Sequence, residues 1–147
     1  MKKLLGILVL GLLWCNIVLS ETVTEKRTLY ISNNLSAEFT ECRQYYLIGI
    51  EAIKTHDPDS ELINQYFNAS KTAGEIAYAL GVEAGMSDEA MLARSELLTD
   101  VMMKSINNNW ANMSVLILKY AEFCKDLIEN PEERNQYWIN KAHEKYK

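Results

Sequence analysis

Two cysteines, Cys42 and Cys124, constrain this chain more than any other pair of residues. Each stands among apolar side chains spaced three and four apart, the mark of an amphipathic helix. The stretch "AEFTECRQYYLIGIEAIK" carries the first, and "AEFC" ends on the second. A covalent link between two such stripes would pin an early helix to a late one across a long loop.

Whether that link forms depends on where the chain goes. The first twenty residues, "MKKLLGILVLGLLWCNIVLS", have a positive start at Lys2 and Lys3, an apolar run from Leu4 to Leu13, and Val18 and Ser20 before a cut at Glu21. That is the layout of a cleaved signal peptide. The apolar run is shorter than the ~20 residues a membrane span needs, so contact with a membrane would come only through an uncleaved leader. Cys15 raises the question of a lipid anchor, but bulky Trp14 stands where lipoprotein processing needs a small residue. The leader looks like those of exported bacterial proteins, and a periplasmic or secreted product is expected.

Cleavage removes two lysines and no acids, which takes the formal charge from −5 to −7. An acidic chain without a basic stripe repels phosphate backbones, so nucleic-acid binding is disfavoured. Cleavage also removes Cys15. In an oxidising compartment Cys42 and Cys124 then allow a single intramolecular pairing. Closing so long a loop stabilises by about 4 to 5 kcal/mol in the chain-entropy model. Rival uses of the thiols lack neighbours: there is no C-x-x-C-H for haem attachment, no Cys/His cluster for zinc, and only His56 or His143 as a base.

The remaining residues suit one domain. Residues 21–34, "ETVTEKRTLYISNN", mix charges with β-branched side chains and read as an extended arm. From residue 35 to 147 the pattern is helical throughout. Leu35, Phe39, Cys42, Tyr46, Gly49, Ile50 and Ile53 share one face, with Ser36 as N-cap and Pro58 ending the helix. Asp59 or Ser60 opens the next, striped by Leu62, Tyr66, Ala69, Ala73, Ile76 and Leu80 and closed by Gly85. Ser87 caps a third, with Met91, Ser95, Leu98, Met102 and Ile106 on its stripe. Asn107 to Asn109 are a turn or a bend before the fourth, which shows Trp110, Met113, Ile117, Ala121, Cys124 and Ile128. Asn130 and Pro131 then start a fifth. No stretch alternates long enough to be a strand. The expectation is an all-α, single-domain bundle of four to five helices stapled by one disulfide.

Catalytic constellations are missing from the sequence. "HDPDSE" at 56–61 begins like a calcium loop but has Leu62 and Asn68 where Gly and Glu are needed, so capping and solvated acids explain it better. His56 beside Asp57 is the basis of a weak hydrolase alternative, with no G-x-S-x-G elbow to support it. A haem- or metal-binding bundle is the other alternative. It would have to draw on Met91, Met102, Met103 or Met113, whose spacing reads as core filler, and no E-x-x-H occurs. No cofactor is expected.

The pattern most suggestive of binding lies in the second helix. Ser70, Gly74, Ala77, Gly81 and Gly85 make a ridge of small residues beside the larger apolar stripe. Mid-helix glycine costs about 1 kcal/mol relative to alanine, so Gly74 and Gly81 need a packing reason. Either Tyr45, Tyr46 or Trp110 packs into the ridge, or these aromatics and the ridge together form a groove for a ligand. With its leader, its cysteine pair and the "AEFTECRQYYLIGIEAI" helix, the chain resembles small exported bacterial helical proteins. That resemblance covers one helix well and implies no activity. The functional expectation is a non-enzymatic helical module that binds an envelope protein or a small apolar ligand; the sequence leaves its oligomeric state open.

Overall fold

The first helix starts earlier than its stripe suggests. In a computed structural model, which describes residues 22–147, α1 runs from Val23 to Lys54. The signal-peptide reading of residues 1–20 lies outside the described residues. The expected arm at 21–34 is replaced by helix from Val23 onward, and Ser36 is a buried mid-helix residue, not a cap. The cap is Thr22. Its hydroxyl accepts from Glu25 N at 3.2 Å, and the Glu25 carboxylate accepts from Thr22 N at 2.6 Å. This reciprocal box satisfies two orphan donors and holds the Glu25 carboxyl below its ordinary value through the Thr22 backbone. At 32 residues and 1.5 Å per residue, α1 is roughly 48 Å long.

Four further helices follow: α2 (Leu62–Glu83), α3 (Asp88–Ser105), α4 (Ser114–Glu129) and α5 (Pro131–Lys145), with a 3-10 turn at Trp110–Asn112. No strand occurs among the described residues. All four pack on α1, most extensively α2. The α2 N-cap is Glu61, without a side-chain cap, where Asp59 or Ser60 was expected. Gly85 ends α2 at φ 72°, and its Schellman bonds are Met86 N to Gly81 O and Gly85 N to Val82 O, both 2.9 Å. Ser87 caps α3 by accepting from Ala90 N at 3.2 Å.

The three asparagines form a turn. Asn107 and Asn108 take the left-handed conformation at φ 55° and 51°, repeating the Schellman pattern on Lys104 O and Met103 O. Asn109 then accepts from Ala111 N to start the 3-10 turn. Beyond this reversal Cys124 keeps its expected place on the buried face of α4, while its companions there are each one residue earlier than expected. Leu116, Tyr120, Cys124 and Leu127 are buried, while Ile117 is exposed.

The core joins Phe39, Cys42, Tyr45, Tyr46 and Ile48 of α1 to Ala73 and Ala77 of α2, Met102 at the end of α3, and the buried stripe of α4. Cys42 and Cys124 are bonded at its centre, Cα to Cα 5.3 Å, and neither exposes any surface. Polar ties fix the outer helices. Arg134 of α5 clamps Glu38 of α1 through Nε and Nη2, Nε to Oε2 at 2.8 Å, and that hydrogen bonding raises the guanidinium pKa. Arg94 of α3 donates to Asn33 Oδ1 at 2.7 Å, and Thr99 donates to Gln44 Oε1 at 3.1 Å.

Candidate functional site

The small-residue ridge of α2 faces α1 and α3. Ser70, Ala77 and Gly81 are buried, and Ser70 donates to Phe67 O at 2.8 Å within its own helix. Ser36 of α1 crosses the interface and donates to Ala77 O at 2.9 Å. The ridge therefore lets the α1 backbone approach closely enough for a serine hydroxyl to reach a helical carbonyl. That is a packing reason for Gly81, whose Cβ would crowd the same hydroxyl.

Each glycine meets a different neighbour. A Cβ on Gly81 would collide with Met91 Sδ of α3 and crowd Ser36 Oγ. A Cβ on Gly74 would lie 2.8 Å from Arg43 Cδ, the stem of an exposed and flexible side chain. Gly49 of α1 has a rigid neighbour: its Cβ would stand 2.5 Å from Tyr66 Cε1. Gly49→Ala is thus expected to destabilise by about 1–3 kcal/mol. Gly74→Ala is expected to be neutral or to stabilise by up to about 1 kcal/mol, as Arg43 swings aside. Denaturant midpoints of the two variants check this ordering, and the reverse order would refute the packing described.

The predicted groove divides into three places. Tyr45 and Tyr46 are core residues, 1 % and 8 % exposed. They pack against Tyr66, with Tyr45 hydroxyl 3.3 Å from Tyr66 hydroxyl and the Tyr46 ring edge-on to Tyr66. Burial pushes the Tyr45 hydroxyl pKa far up, the Tyr66 hydrogen bond adds to it, and burial also raises Tyr46. Both hydroxyls stay protonated, and that of Tyr45 is paired with the Tyr66 hydroxyl. Trp110 lies elsewhere, lining a 360 Å³ cavity with Tyr66, Met113, His56, Asp57 and Ser60. His56 is exposed there and makes no hydrogen bond to Asp57 or Ser60, so the coupling a nucleophile–base pair uses is not formed.

Gly74 and Ala77 remain as the floor of an open groove of about 220 Å³ between α1, α2 and α3. Tyr78 and Leu92 flank it, 55 % and 60 % exposed, with Met91 beneath and Arg43 and Asp88 at the rim. The groove is smaller than the ~300–1,000 Å³ of small-molecule sites and opens to solvent along its length. It has room for a side chain or two from a partner surface. Met91, which closes Gly81, separates it from the core.

Other expected sites are scattered. Among the described residues, no three His, Cys, Asp or Glu side chains gather as a metal-ligating cluster. Met102 is buried in the core, and His56 and His143 are exposed. None of the described helices is long and apolar enough to cross a membrane. No protein-family model matches the chain, and comparison with curated proteins and with solved structures gave no significant match.

Sequence reasoning missed Tyr78 and Leu92. Both fall off the buried stripes and would pass as ordinary surface residues. Their signal is bulk and apolarity on the outward side of two adjoining helices, visible only once α2 and α3 are docked.

Proposed function

We propose that this chain is a non-enzymatic helical interaction module, acting in the periplasm or after secretion and docking a protein of the cell envelope. The observation that carries the reading is the pair Tyr78 and Leu92, more than half exposed on either side of the Gly74–Ala77 floor. Large apolar side chains around a shallow notch are the usual anchor geometry of a protein contact. The closed packing of Met91 on Gly81 supports a surface adaptor over a carrier that encloses its ligand.

Co-purification from envelope extract with the wild-type chain and with Tyr78→Ser/Leu92→Ser tests the proposal. A specific partner retained by the wild type, and lost at least about tenfold by the double variant, is the expected result. Equal retention by both, or repeated empty captures, would refute it. An apolar molecule released on denaturing the purified protein would favour a carrier instead, and a coloured or metal-loaded sample a cofactor bundle.

A further inference from the structure

A second cleft lies on the opposite flank of the bundle. The C-terminal half of α2 and helix α5 both flank the N-terminal half of α1 and have no extensive interface with each other. Between them is an open cleft of about 430 Å³. Its floor is one stripe of α1, Ile31, Leu35 and Phe39, spaced four apart over roughly 12 Å of helix. Ile76 and Leu80 of α2 form one wall and Ile139 of α5 the other.

The rim has one sign of charge. Glu83 stands on the α2 side and Glu132 on the α5 side, and no lysine or arginine lines the cleft. Ser32 donates to Glu83 Oε2 at 2.9 Å, which fixes that carboxylate at the edge of the apolar floor. Two walls that are helices, a floor that is a helical stripe and an acid on each wall suit the apolar face of a further helix laid along the cleft. From this geometry and charge we infer that the cleft receives a cationic amphipathic helix of a partner protein. The occupant's apolar residues at i, i+3 or i+4, and i+7 meet the half-buried Ile31, Leu80 and Ile139 above the buried Leu35 and Phe39, and its flanking lysines or arginines meet Glu83 and Glu132. The cleft shares no residue with the Tyr78–Leu92 groove, so neither reading depends on the other.

The test uses the purified chain and a synthetic helical peptide of about fourteen residues, with leucines on one face and lysines beside them. Two controls accompany it: the same composition scrambled to lose the stripe, and the same stripe with glutamates for lysines. Saturable binding of the first peptide alone is expected, with amide shifts at Leu35, Leu80 and Ile139. Glu83→Gln/Glu132→Gln, which removes the charge while leaving an acceptor for Ser32, should weaken it about three- to tenfold and flatten its salt dependence. No binding, equal binding of either control, or shifts confined to Tyr78 and Leu92 would each overturn the inference. Concentration-dependent self-association that the peptide cannot displace and that maps to the cleft would assign it to a second copy and overturn it too.

Discussion

Reduction of the Cys42–Cys124 bridge is expected to lower the thermal midpoint by roughly 10–20 °C. The estimate follows from the separation of 82 residues, for which the chain-entropy model gives about 4–5 kcal/mol, and from the size of the domain. The loop so closed contains the whole of α2 and α3, so the reduced unfolded chain regains their freedom at once. Cys42→Ala/Cys124→Ala gives the same loss without a reductant. Because both residues are fully buried, reductant should act on the native protein only as fast as it opens. Thermal scans with and without reductant, together with peptide mapping of the bridge, check the expectation. An unchanged midpoint with a reduced bridge would contradict it.

Phe39→Ala is expected to cost about 3–5 kcal/mol. Phe39 is 2 % exposed, one helical turn before Cys42, and belongs to the same core cluster. Its ring also helps to floor the α2–α5 cleft, so truncation leaves a gap that the rigid α1 backbone cannot close. Phe67→Ala is the matched control. That ring is 56 % exposed, and its loss should move stability by no more than about 0.5 kcal/mol. Urea titration of both variants separates a burial effect from any general intolerance of aromatic removal.

The helical class, the bridge and most helix ends were legible because each rests on local chemistry. Ser87, Gly85 and Pro131 punctuate the chain where capping rules put them, the stripe of Phe39, Cys42 and Tyr46 faces the core, and Tyr66, Ala69, Ala73, Ile76 and Leu80 of the α2 stripe pack there while Leu62 is exposed. The start of α1 is hard to see in the sequence although its T-x-x-E box stands there, Thr22 to Glu25. Val23, Thr24, Thr28 and Ile31 weaken intrinsic helicity, and the partners that compensate come from the far end of the chain. Tyr30 packs edge-on against Trp138 and Tyr146, and Arg27 donates to Tyr146 O at 2.7 Å. A reading from the sequence has no access to such contacts.

The candidate groove was half legible for a related reason. Gly74 and Ala77 announced themselves by their smallness, but their meaning depended on what covers them. Size and aromaticity make Tyr45 and Tyr46 natural partners for the ridge, yet Gly49 lets Tyr66 onto α1, where it encloses them. Ile117 and Leu116 show the same limit at one-residue scale, since only the Asn107–Asn108 reversal decides which of them points inward.

The way α3 is held has a dynamic corollary. Within the helix only Met102 is buried, with Ile106 just beyond, so its anchorage sits at the C-terminal end; the first turns rest on Met91, Arg94 and Thr99. Amide hydrogens from Glu89 to Leu98 should therefore exchange through a local excursion well below the global unfolding free energy. Each such excursion would lift the methionine from Gly81 and extend the notch on α2 into a longer trough.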